Sequence, residues 1–279
     1  MITIKSLGYA GRLGNQMFQY ATLFSISKKT GFDAIIPNQN LIIKPEGTYD
    51  VANKKWIAYR FILNECFNLS IPFGDDLSKF DKFYKEPHFH FDENIFKISD
   101  NTLIEGYFQS YKYFDDVKNE IKKEFLFKEN IFNYSYKKMN SLFDCENRTN
   151  EIVAIHVRRG DYVGLPGFIK LDTNYYQNAI NKFDDKKYIF FIFSDDIEWC
   201  KNVFGEDESI YYSEGETEFV DICMMSLCDH FIIANSTFSW WAAYLGQNAN
   251  KKVIAPLQWF HPSVGNNISD LFPIGWELI

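Results

Sequence analysis

Apolar stretches alternate with amphipathic segments throughout the second half of the chain. From residue 151 onward, IVAIHV, YIFFIF, SIYY, HFIIA and KVIAP have the length and the β-branched or aromatic composition of buried strands. Between them lie segments whose apolar residues have helical spacing: NYYQNAINKF, DIEWCKNVF, ETEFVDICMMSLC and TFSWWAAYLG. Strands that alternate with helices in this way predict a Rossmann-like parallel sheet with both faces covered.

The first residues predict a strand, a glycine loop and a helix, in that order. Residues 2–7 alternate as in a strand, Gly8, Gly11 and Gly14 follow, and NQMFQYATLFSISKKTG has the apolar spacing of a helix. Glycines let the backbone approach a ligand closely, and a helix N-terminus offers unpaired N–H groups. The spacing G-x-x-G-x-x-G differs from the dinucleotide fingerprint G-x-G-x-x-G, so no nicotinamide or flavin cofactor is predicted.

The rest of the first half is less regular. Short apolar runs and aromatic-rich polar stretches fill residues 33–105, whereas apolar positions at helical spacing predict a helix over residues 111–127. The polar stretch CENRTNE, residues 145–151, has the composition of a linker. We therefore expect an α/β protein with an N-terminal domain of residues 1–150 and a C-terminal domain of residues 151–279.

Composition and charge exclude several classes of protein. The formal charge is −8 and the sequence pI about 5.2, so nucleic acid, which is bound by clustered Lys and Arg, is not an expected partner. No apolar stretch reaches the roughly 18 residues of a transmembrane segment, and the first residues lack a secretory pattern. The expected location is cytoplasmic, with peripheral contact at the inner membrane face left open. Aromatic residues make up 18% of the chain, a surplus that fills the core or covers a ring-shaped ligand.

Polar residues follow the predicted strands at their carboxyl ends, which is where parallel α/β sheets bind ligands. HVRRGDY places Arg158 and Arg159 after the first strand of the C-terminal domain, and SDD places Asp195 and Asp196 after the second. NSTFS follows a later strand and begins a helix. Two guanidinium groups, hydroxyls and a helix N-terminus predict a diphosphate pocket. A carboxylate would suit the N1–H and N2–H₂ edge of guanine.

Each of these features also has a simpler interpretation. Two arginines after a strand also form surface ion pairs, and SDD before a helix is also an N-cap followed by acids of the first turn. Trp240, Trp241 and Tyr244 favour packing of a helix on the sheet over a platform for sugars. His88 and His90 would share a strand face but have no third ligand nearby, so a metal site is not predicted.

Four segments, taken in order, resemble the α-1,2-fucosyltransferase family. They are GRLGNQMFQYA (residues 11–21), HVRRGDY (156–162), FSDDIEWC (193–200) and NSTFSWWAAYLG (235–246). They span nearly the whole chain and include the H-x-R-R-x-D pattern shared with α-1,6- and protein O-fucosyltransferases. The resemblance implies a GT-B-like fold, in which two Rossmann-like lobes face a central cleft, with GDP-β-L-fucose as donor substrate.

The resemblance also implies roles for individual residues. The lobe of residues 1–150 would face the fucose and the acceptor through Gly14, Asn15 and Gln16, and the lobe of residues 151–279 would hold GDP-fucose. The expected donor-binding residues are His156, Arg158, Arg159, Ser194, Asp195, Asp196, Ser236, Thr237, Phe238 and Ser239. Among them, Arg158 would contact the diphosphate, and His156 with one of the two aspartates would contact the guanosine.

The implied reaction is an inverting displacement in glycan or polysaccharide synthesis of the bacterial type. The 2-hydroxyl of a galactose-terminated oligosaccharide attacks the anomeric carbon of fucose, and GDP leaves. Asp195 and Asp196 are adjacent and lack the D-x-D spacing of metal-dependent glycosyltransferases, so Arg158 is expected to replace a metal ion and no cofactor is predicted. Arg158 and Asp161 are the predicted catalytic residues, and Asp161 is the first candidate for the general base.

Other functions are compatible with the same motifs. A fucosyltransferase of different linkage or acceptor would share them, and so would a non-catalytic protein that binds a GDP-sugar or a glycan. The tripeptide Arg159-Gly160-Asp161 is also the sequence that cell-adhesion receptors bind. That interpretation requires an exposed loop on a secreted or surface protein.

Overall fold

The computed structural model describes residues 1–38, 47–50, 55–160, 162, 167–183 and 188–279. The chain forms two compact units. The first contains residues 1–126 and 266–273, and the second contains residues 127–265 and 274–279. The catalytic candidate Asp161 lies outside the described residues.

The first unit ends at residue 126, ahead of the predicted linker at residues 145–151. The difference arises because the helix Glu129–Phe143 packs with the later strands. The ring centroid of Phe143 lies 5.2 Å from that of Phe191 and 4.9 Å from that of Tyr211. The functional roles assigned to the two lobes stay predictions.

Residues 266–273 return to the first unit, which the sequence analysis did not predict. The Ser110 hydroxyl donates a hydrogen bond to the Asp270 carbonyl at 2.8 Å. The Phe91 backbone N–H donates to Asp270 Oδ2 at 3.0 Å. These bonds join residues that are 160 and 179 positions apart, so no local sequence pattern predicts them.

The first unit has short strands around a three-stranded parallel sheet of order β1-β7-β6. Two two-stranded ribbons, β2-β5 and β3-β4, accompany it. Its strands are β1 (Ile2–Ile4), β2 (Ile36–Pro37), β3 (Gly47–Asp50), β4 (Lys55–Ala58), β5 (Phe73–Gly74), β6 (Lys82–Lys85) and β7 (Thr102–Glu105). Its helices are α1 (Leu13–Thr30), α2 (Leu63–Cys66) and α3 (Lys118–Glu124), with 3-10 helices at Glu93–Lys97, Tyr111–Tyr113 and Asp115–Val117.

Helix α1 confirms the predicted helix after the glycine loop. It ends at Gly31, whose φ of 74° lies in the left-handed region and whose N–H donates to Ser27 O. Lys28 and Lys29 occupy the last turn, where positive charge favours the helix dipole. The preceding strand is shorter than predicted, because the chain turns after Ile4, whose carbonyl accepts from the N–H of Leu7.

The second unit contains a six-stranded sheet of order β10-β9-β8-β11-β12-β13, with every neighbouring pair parallel. Its strands are β8 (Glu151–Val157), β9 (Tyr188–Ser194), β10 (Ile210–Tyr212), β11 (His230–Ile232), β12 (Val253–Ala255) and β13 (Glu277–Leu278). Its helices are α4 (Glu129–Phe143), α5 (Thr173–Ile180), α6 (Ile197–Phe204), α7 (Glu218–Ser226) and α8 (Thr237–Leu245). The Rossmann-like alternation predicted for residues 151–260 is confirmed.

The strand order reverses between β8 and β11, because β9 and β10 extend the sheet on one side of β8 while β11 to β13 extend it on the other. A crevice opens at such a reversal, outside the carboxyl ends of the strands, and it is where open α/β sheets bind ligands. The core beneath it includes Val153, Ile155, Ile192, Ile232 and Ile254, all buried. Residues that follow β8, β9 and β11 are therefore brought to one edge.

Two predicted elements differ in the structure. The helix predicted over residues 111–127 is broken into two 3-10 turns and α3, because Phe114, with φ −137°, leaves the helical region. His88 and His90 do not lie in a strand, since β6 ends at Lys85, two residues before a proline. The two imidazole rings stack with centroids 3.5 Å apart. Within the described residues, no group of three or more His, Cys, Asp or Glu is arranged to hold a metal ion.

Among the described residues, none of the helices combines the length and the apolar character needed to cross a bilayer.

Candidate functional site

Arginines and aspartates from neighbouring strand ends pair at the edge of the second sheet. Arg158 Nη1 lies 2.8 Å from Asp195 Oδ2, and Arg159 Nε lies 2.9 Å from Asp196 Oδ2. The backbone N–H of Arg159 donates to Asp195 Oδ1 at 2.9 Å. These contacts link the residues after β8 to the residues after β9, so the two predicted clusters do lie together.

Arg159 and Asp196 also support helix α6. Asp196 is the N-cap residue of α6, and its Oδ1 accepts from the N–H of Trp199 at 3.2 Å. The guanidinium carbon of Arg159 lies 4.1 Å from the centroid of the Trp199 ring. Ser194 Oγ accepts from the Asp196 N–H at 2.9 Å. The N-cap interpretation of SDD is therefore confirmed for Asp196. The Arg159 side chain is fixed by its contacts with Asp196 and Trp199 at the start of α6.

Both oxygens of each aspartate contact donor groups of the protein, through hydrogen bonds or ion pairs. Asp195 receives them from Arg158 and Arg159, and Asp196 from Arg159 and Trp199. A carboxylate offers about four lone-pair positions, so each oxygen keeps capacity for a further donor. The predicted contact with guanine would have to share a carboxylate that already holds an arginine.

Gly160 allows the close approach of Asp195 to the arginine loop. A β-carbon at position 160 would lie 2.5 Å from Asp195 Oδ2 and 3.2 Å from its Cγ. Any other residue here would displace the carboxylate that pairs with Arg158. Close packing against Asp195 therefore explains the glycine at position 160.

His156 is buried at the end of β8. Its Nδ1 lies 2.9 Å from Ser239 Oγ, and its ring centroid lies 5.4 Å from that of Phe238. Burial, together with the positive charge of Arg158, lowers the pKa of His156 to about 3. The imidazole is therefore neutral at physiological pH, and it acts as a hydrogen-bonding group rather than as a cation.

Helix α8 begins after β11, at the same edge of the sheet but on the other side of the strand-order reversal. Ser236 is its N-cap residue, and Thr237, Phe238 and Ser239 form its first turn. The buried Asn235 fixes this turn, because its Nδ2 donates to the carbonyls of Ile169 and Trp259 at 2.9 and 3.0 Å. Backbone N–H groups of a first helical turn attract anions. Two guanidinium groups, a neutral imidazole and a helix N-terminus therefore lie along this edge, and their predicted role in binding a diphosphate stays a prediction.

The tryptophans of α8 pack inside the second unit. Trp240 and Trp241 are fully buried, with ring centroids 5.0 Å apart, and Trp240 also packs on Tyr244 and Trp276. The predicted packing of a helix on the sheet is confirmed, and these indoles do not form a sugar platform.

In the first unit, Gln16 is a structural residue. It is buried, its Nε2 donates to the Arg60 carbonyl at 2.8 Å and to the Gly11 carbonyl at 3.2 Å, and its Oε1 accepts from the Ile62 N–H at 3.0 Å. Its amide ties the start of α1 to residues 60–62. Its predicted role of facing the fucose and acceptor stays a prediction, and a ligand would share an amide that already bonds to the protein.

Asn15 and Gly14 are placed differently from Gln16. Gly14 lies buried in the first turn of α1, whereas Asn15 is partly exposed and its Oδ1 accepts from Gln109 Nε2 at 3.0 Å. Gly11, with φ +84°, lies against the Asn15 side chain, so a β-carbon there would collide with it. The glycine loop thus fixes Asn15 at the carboxyl edge of the first sheet.

Glu86 is a candidate residue that the sequence analysis missed. It follows β6 directly, and its two carboxylate oxygens accept from the backbone N–H groups of Tyr107 and Phe108 at 2.7 and 3.0 Å. Burial raises the pKa of its carboxyl to about 7. The available signal was an acid directly after a strand, but β6 (KFYK) is too short and polar to be recognised as one.

Comparison with known proteins gives a consistent result over the whole chain. The sequence profile of glycosyl transferase family 11 matches residues 2–279. The O-antigen biosynthesis glycosyltransferase WbnK of Escherichia coli is 30% identical, with 96% of this chain and 97% of the relative covered. The alpha-1,2-colitosyltransferase of Escherichia coli is also 30% identical, with 97% of each chain covered. The galactoside alpha-(1,2)-fucosyltransferase 2 of Hylobates lar is 28% identical over 88% of this chain and 69% of the relative.

Solved structures share the fold at low sequence identity. POFUT1 in complex with GDP is 14% identical, with a TM-score of 0.54 over 91% of this chain and 97% of that chain. The fucosyltransferase NodZ from Bradyrhizobium is 15% identical, with a TM-score of 0.50 over 86% and 92%. The GT-B-like α/β fold class and the resemblance to α-1,2-fucosyltransferases are confirmed. The chain therefore belongs to glycosyl transferase family 11.

Proposed function

We propose that the protein is an inverting galactoside α-1,2-fucosyltransferase that uses GDP-β-L-fucose as donor. The observation that carries the proposal is that Arg158, His156 and the N-terminus of α8 follow or end strands at the strand-order reversal, where His156 contacts Ser239 of α8. A sugar nucleotide presents a diphosphate to such a site. The names of the galactoside alpha-(1,2)-fucosyltransferase and colitosyltransferase relatives support the linkage and the class of donor. The O-antigen relative supports a role in bacterial glycan synthesis.

The second unit would hold the nucleotide. The planar Arg158 guanidinium would donate two hydrogen bonds to the diphosphate, and the N–H groups of Thr237 to Ser239 would bind phosphate oxygens. His156, kept neutral and hydrogen-bonded to Ser239, would contact the guanosine. Asp195 or Asp196 would accept hydrogen bonds from the N1–H and N2–H₂ groups of guanine. The first unit would bind the galactoside near the glycine loop, with Asn15 as the polar side chain of that loop that is partly exposed.

The reaction needs no nucleophile from the enzyme. The 2-hydroxyl of galactose forms the new bond to the anomeric carbon of fucose, and the bond from that carbon to the β-phosphate oxygen breaks with its electron pair on GDP. Negative charge grows on the β-phosphate only as this bond breaks. Donors that are already fixed in place, such as the Arg158 guanidinium, stabilise the transition state more than the ground state and so raise the rate.

A second donor deserves testing because of one relative. A colitosyltransferase is as similar to this chain as the O-antigen glycosyltransferase is, at 30% identity. Colitose is fucose without its 3-hydroxyl. Selection between GDP-fucose and GDP-colitose therefore depends on whether the site hydrogen-bonds that hydroxyl, and a site built to bond a hydroxyl strongly rejects the analogue that lacks it.

The test is transfer from a defined donor to a defined acceptor. Purified protein is incubated with GDP-fucose and a panel of β-galactosides that includes lactose, GDP release is followed, and the linkage is determined by NMR. The expected product carries an α-1,2-linked fucose. A parallel reaction with GDP-colitose measures the preference as a ratio of kcat/KM values. Binding of GDP-fucose without release of GDP would support the sugar-binding alternative, and a product of another linkage would overturn the assigned specificity.

A further inference from the structure

Glu86 lies at the carboxyl edge of the sheet in the first unit. The three strands β1, β7 and β6 are parallel, so the segments that follow them share one edge. The glycine loop follows β1, residues 106–109 follow β7, and Glu86 follows β6. The Glu86 N–H donates to the carbonyl of Glu105 at 2.8 Å, which continues the ladder to this position. Edges of this kind are where parallel sheets bind ligands.

The Glu86 carboxylate is held in one orientation. Its Oε2 accepts from Tyr107 N at 2.7 Å and its Oε1 from Phe108 N at 3.0 Å. Gly106 permits this approach, because a β-carbon there would lie 2.5 Å from Glu86 Cβ and 2.7 Å from Oε2. Two acceptor positions are used, and a carboxylate has about four, so the group can still accept a proton from a ligand.

The same segment contacts the glycine loop that carries Asn15. Gln109 Nε2 donates to Asn15 Oδ1 at 3.0 Å. The carbonyl of Gly106 accepts from Gln19 Nε2 at 3.1 Å and from Ser6 Oγ at 2.9 Å. Residues 106–109 therefore connect Glu86 on one side with Asn15 on the other, and both side chains are partly exposed. A sugar hydroxyl bound by Asn15 would have an oriented carboxylate on the same edge.

The environment makes this carboxylate a better base than an ordinary glutamate. Burial raises its pKa to about 7, although the N–H groups of Tyr107 and Phe108 and the charge of His88 lower it. The other ionisable groups whose charges couple to it or to its neighbours are Tyr84, Asp92, Tyr113 and Asp270. A carboxylate whose pKa lies near the working pH is present in its basic form and still takes a proton readily.

We propose that Glu86 is the general base that receives the proton of the acceptor hydroxyl, an inference that rests on the proposed function. The hydroxyl oxygen bonds to the anomeric carbon, its proton passes to a Glu86 oxygen, and GDP departs with the electrons of the broken bond. Protonated Glu86 then returns the proton to water. The step needs no co-reactant beyond the donor and the galactoside.

The experiment compares wild-type protein with Glu86→Gln, Glu86→Asp and the matched control Glu105→Gln. Glu105 ends the neighbouring strand β7, is partly exposed and pairs with Lys5 and Lys85 on the surface. For each protein, kcat and KM for GDP-fucose and lactose are measured between about pH 5.5 and 8.5, with GDP affinity by calorimetry and the melting temperature as measures of folding.

Loss of a general base should appear in kcat alone. Glu86→Gln should lower kcat on the order of 10²- to 10⁴-fold, with GDP affinity unchanged. The new NH₂ group would face one of the two backbone N–H donors, so the melting temperature should also fall, and kinetics are measured well below it. Wild-type kcat/KM, which reports the ligand-free enzyme, should rise with pH through an apparent pKa of about 7 as Glu86 loses its proton. Glu86→Asp should keep this rise at reduced kcat, and Glu105→Gln should behave as the wild type.

Several outcomes would overturn the inference. The first is a wild-type kcat/KM that is independent of pH across this range, a measurement that needs no variant to fold. The second is Glu86→Gln with kcat within a few-fold of the wild type. The third concerns Asp161→Asn. If this variant loses the rise of activity with pH while Glu86→Gln keeps it, the general base is Asp161. Failure of the wild-type protein to transfer fucose at all would instead refute the proposed function.

Discussion

Arg158 and Asp195 form an ion pair in which Nη1 lies 2.8 Å from Oδ2. From the sequence, Arg158 is expected to contact the diphosphate, and either Asp195 or Asp196 is expected to contact guanine. If Asp195 is the aspartate at guanine, this ion pair would couple binding of the diphosphate to binding of the base. Binding of GDP would exchange part of this ion pair for contacts to the ligand, so changes at either residue should affect recognition of both parts of the nucleotide.

Replacement of Arg158 tests the diphosphate assignment. Arg158→Ala should lower kcat on the order of 10²- to 10³-fold, the usual cost of removing one fixed donor from a developing oxyanion. Arg158→Lys should recover little, because lysine keeps the charge but lacks the planar fork. Steady-state kinetics with GDP-fucose and lactose provide the measurement. Turnover at the wild-type rate in Arg158→Ala would exclude the assignment.

Arg159 is the natural control for Arg158. Its guanidinium pairs with Asp196 and lies over the Trp199 ring, so its contacts stabilise the start of α6. Arg159→Ala should therefore lower the melting temperature by roughly 2–4 °C, as expected for the loss of about 1 kcal/mol in a protein of this size. Its kcat should fall much less than that of Arg158→Ala. Equal losses of kcat in the two variants would contradict this division of roles.

Asp195 should determine the preference for guanine. Of the two aspartates, Asp196 is committed to the N-cap of α6, which leaves Asp195 as the carboxylate we expect to contact the base. The wild type should bind GDP at least about tenfold more tightly than ADP, because guanine offers the carboxylate two N–H donors at the edge where adenine presents the acceptor N1. Asp195→Asn should reduce this ratio, and calorimetry measures it. A wild type that binds GDP and ADP equally would remove the guanine contact.

Activity should persist in excess EDTA. Arg158 and the N-terminus of α8 would balance the negative charge of the diphosphate, as a divalent cation does in metal-dependent glycosyltransferases. Initial rates should therefore be equal with EDTA and with added Mg²⁺ or Mn²⁺. Abolition of turnover by EDTA, with recovery on adding either ion, would show that a metal takes part.

The second half of the fold could be predicted from the sequence because its central strands β8, β11 and β12 are buried on both faces and read as apolar runs. β8 and β9 are continuous apolar runs, and the polar residues after them mark the binding edge without knowledge of the pairing. The first half has strands as short as two residues, such as β2 and β5. Such strands are too short to show a period, so their positions depend on pairing partners far away in the chain.

The candidate site shows the same limit. Residue types at strand ends predicted that Arg158, Arg159, Asp195 and Asp196 would lie together. They could not predict that each arginine pairs with one aspartate 37 positions later, because that choice depends on the register between β8 and β9. The glycine-loop motif also could not predict that the Gln16 amide bonds to Arg60 and Ile62, because these lie in a segment without a recognisable pattern.

Stability should fall as the pH is lowered, in part because His156 is buried and neutral. The pKa of His156 is lowered to about 3 in the folded protein, against about 6.5 in the unfolded chain. Between these values the unfolded chain binds a proton that the folded protein does not, so the contribution is complete above about pH 6.5 and is lost progressively towards pH 3. From pH 7.5 to pH 5, the free energy of unfolding should drop by about 2 kcal/mol from this group. His156→Asn should remove that drop in urea unfolding experiments, whereas replacement of the exposed His261 should retain it. An equally steep loss of stability in His156→Asn would show that other groups cause the acid sensitivity.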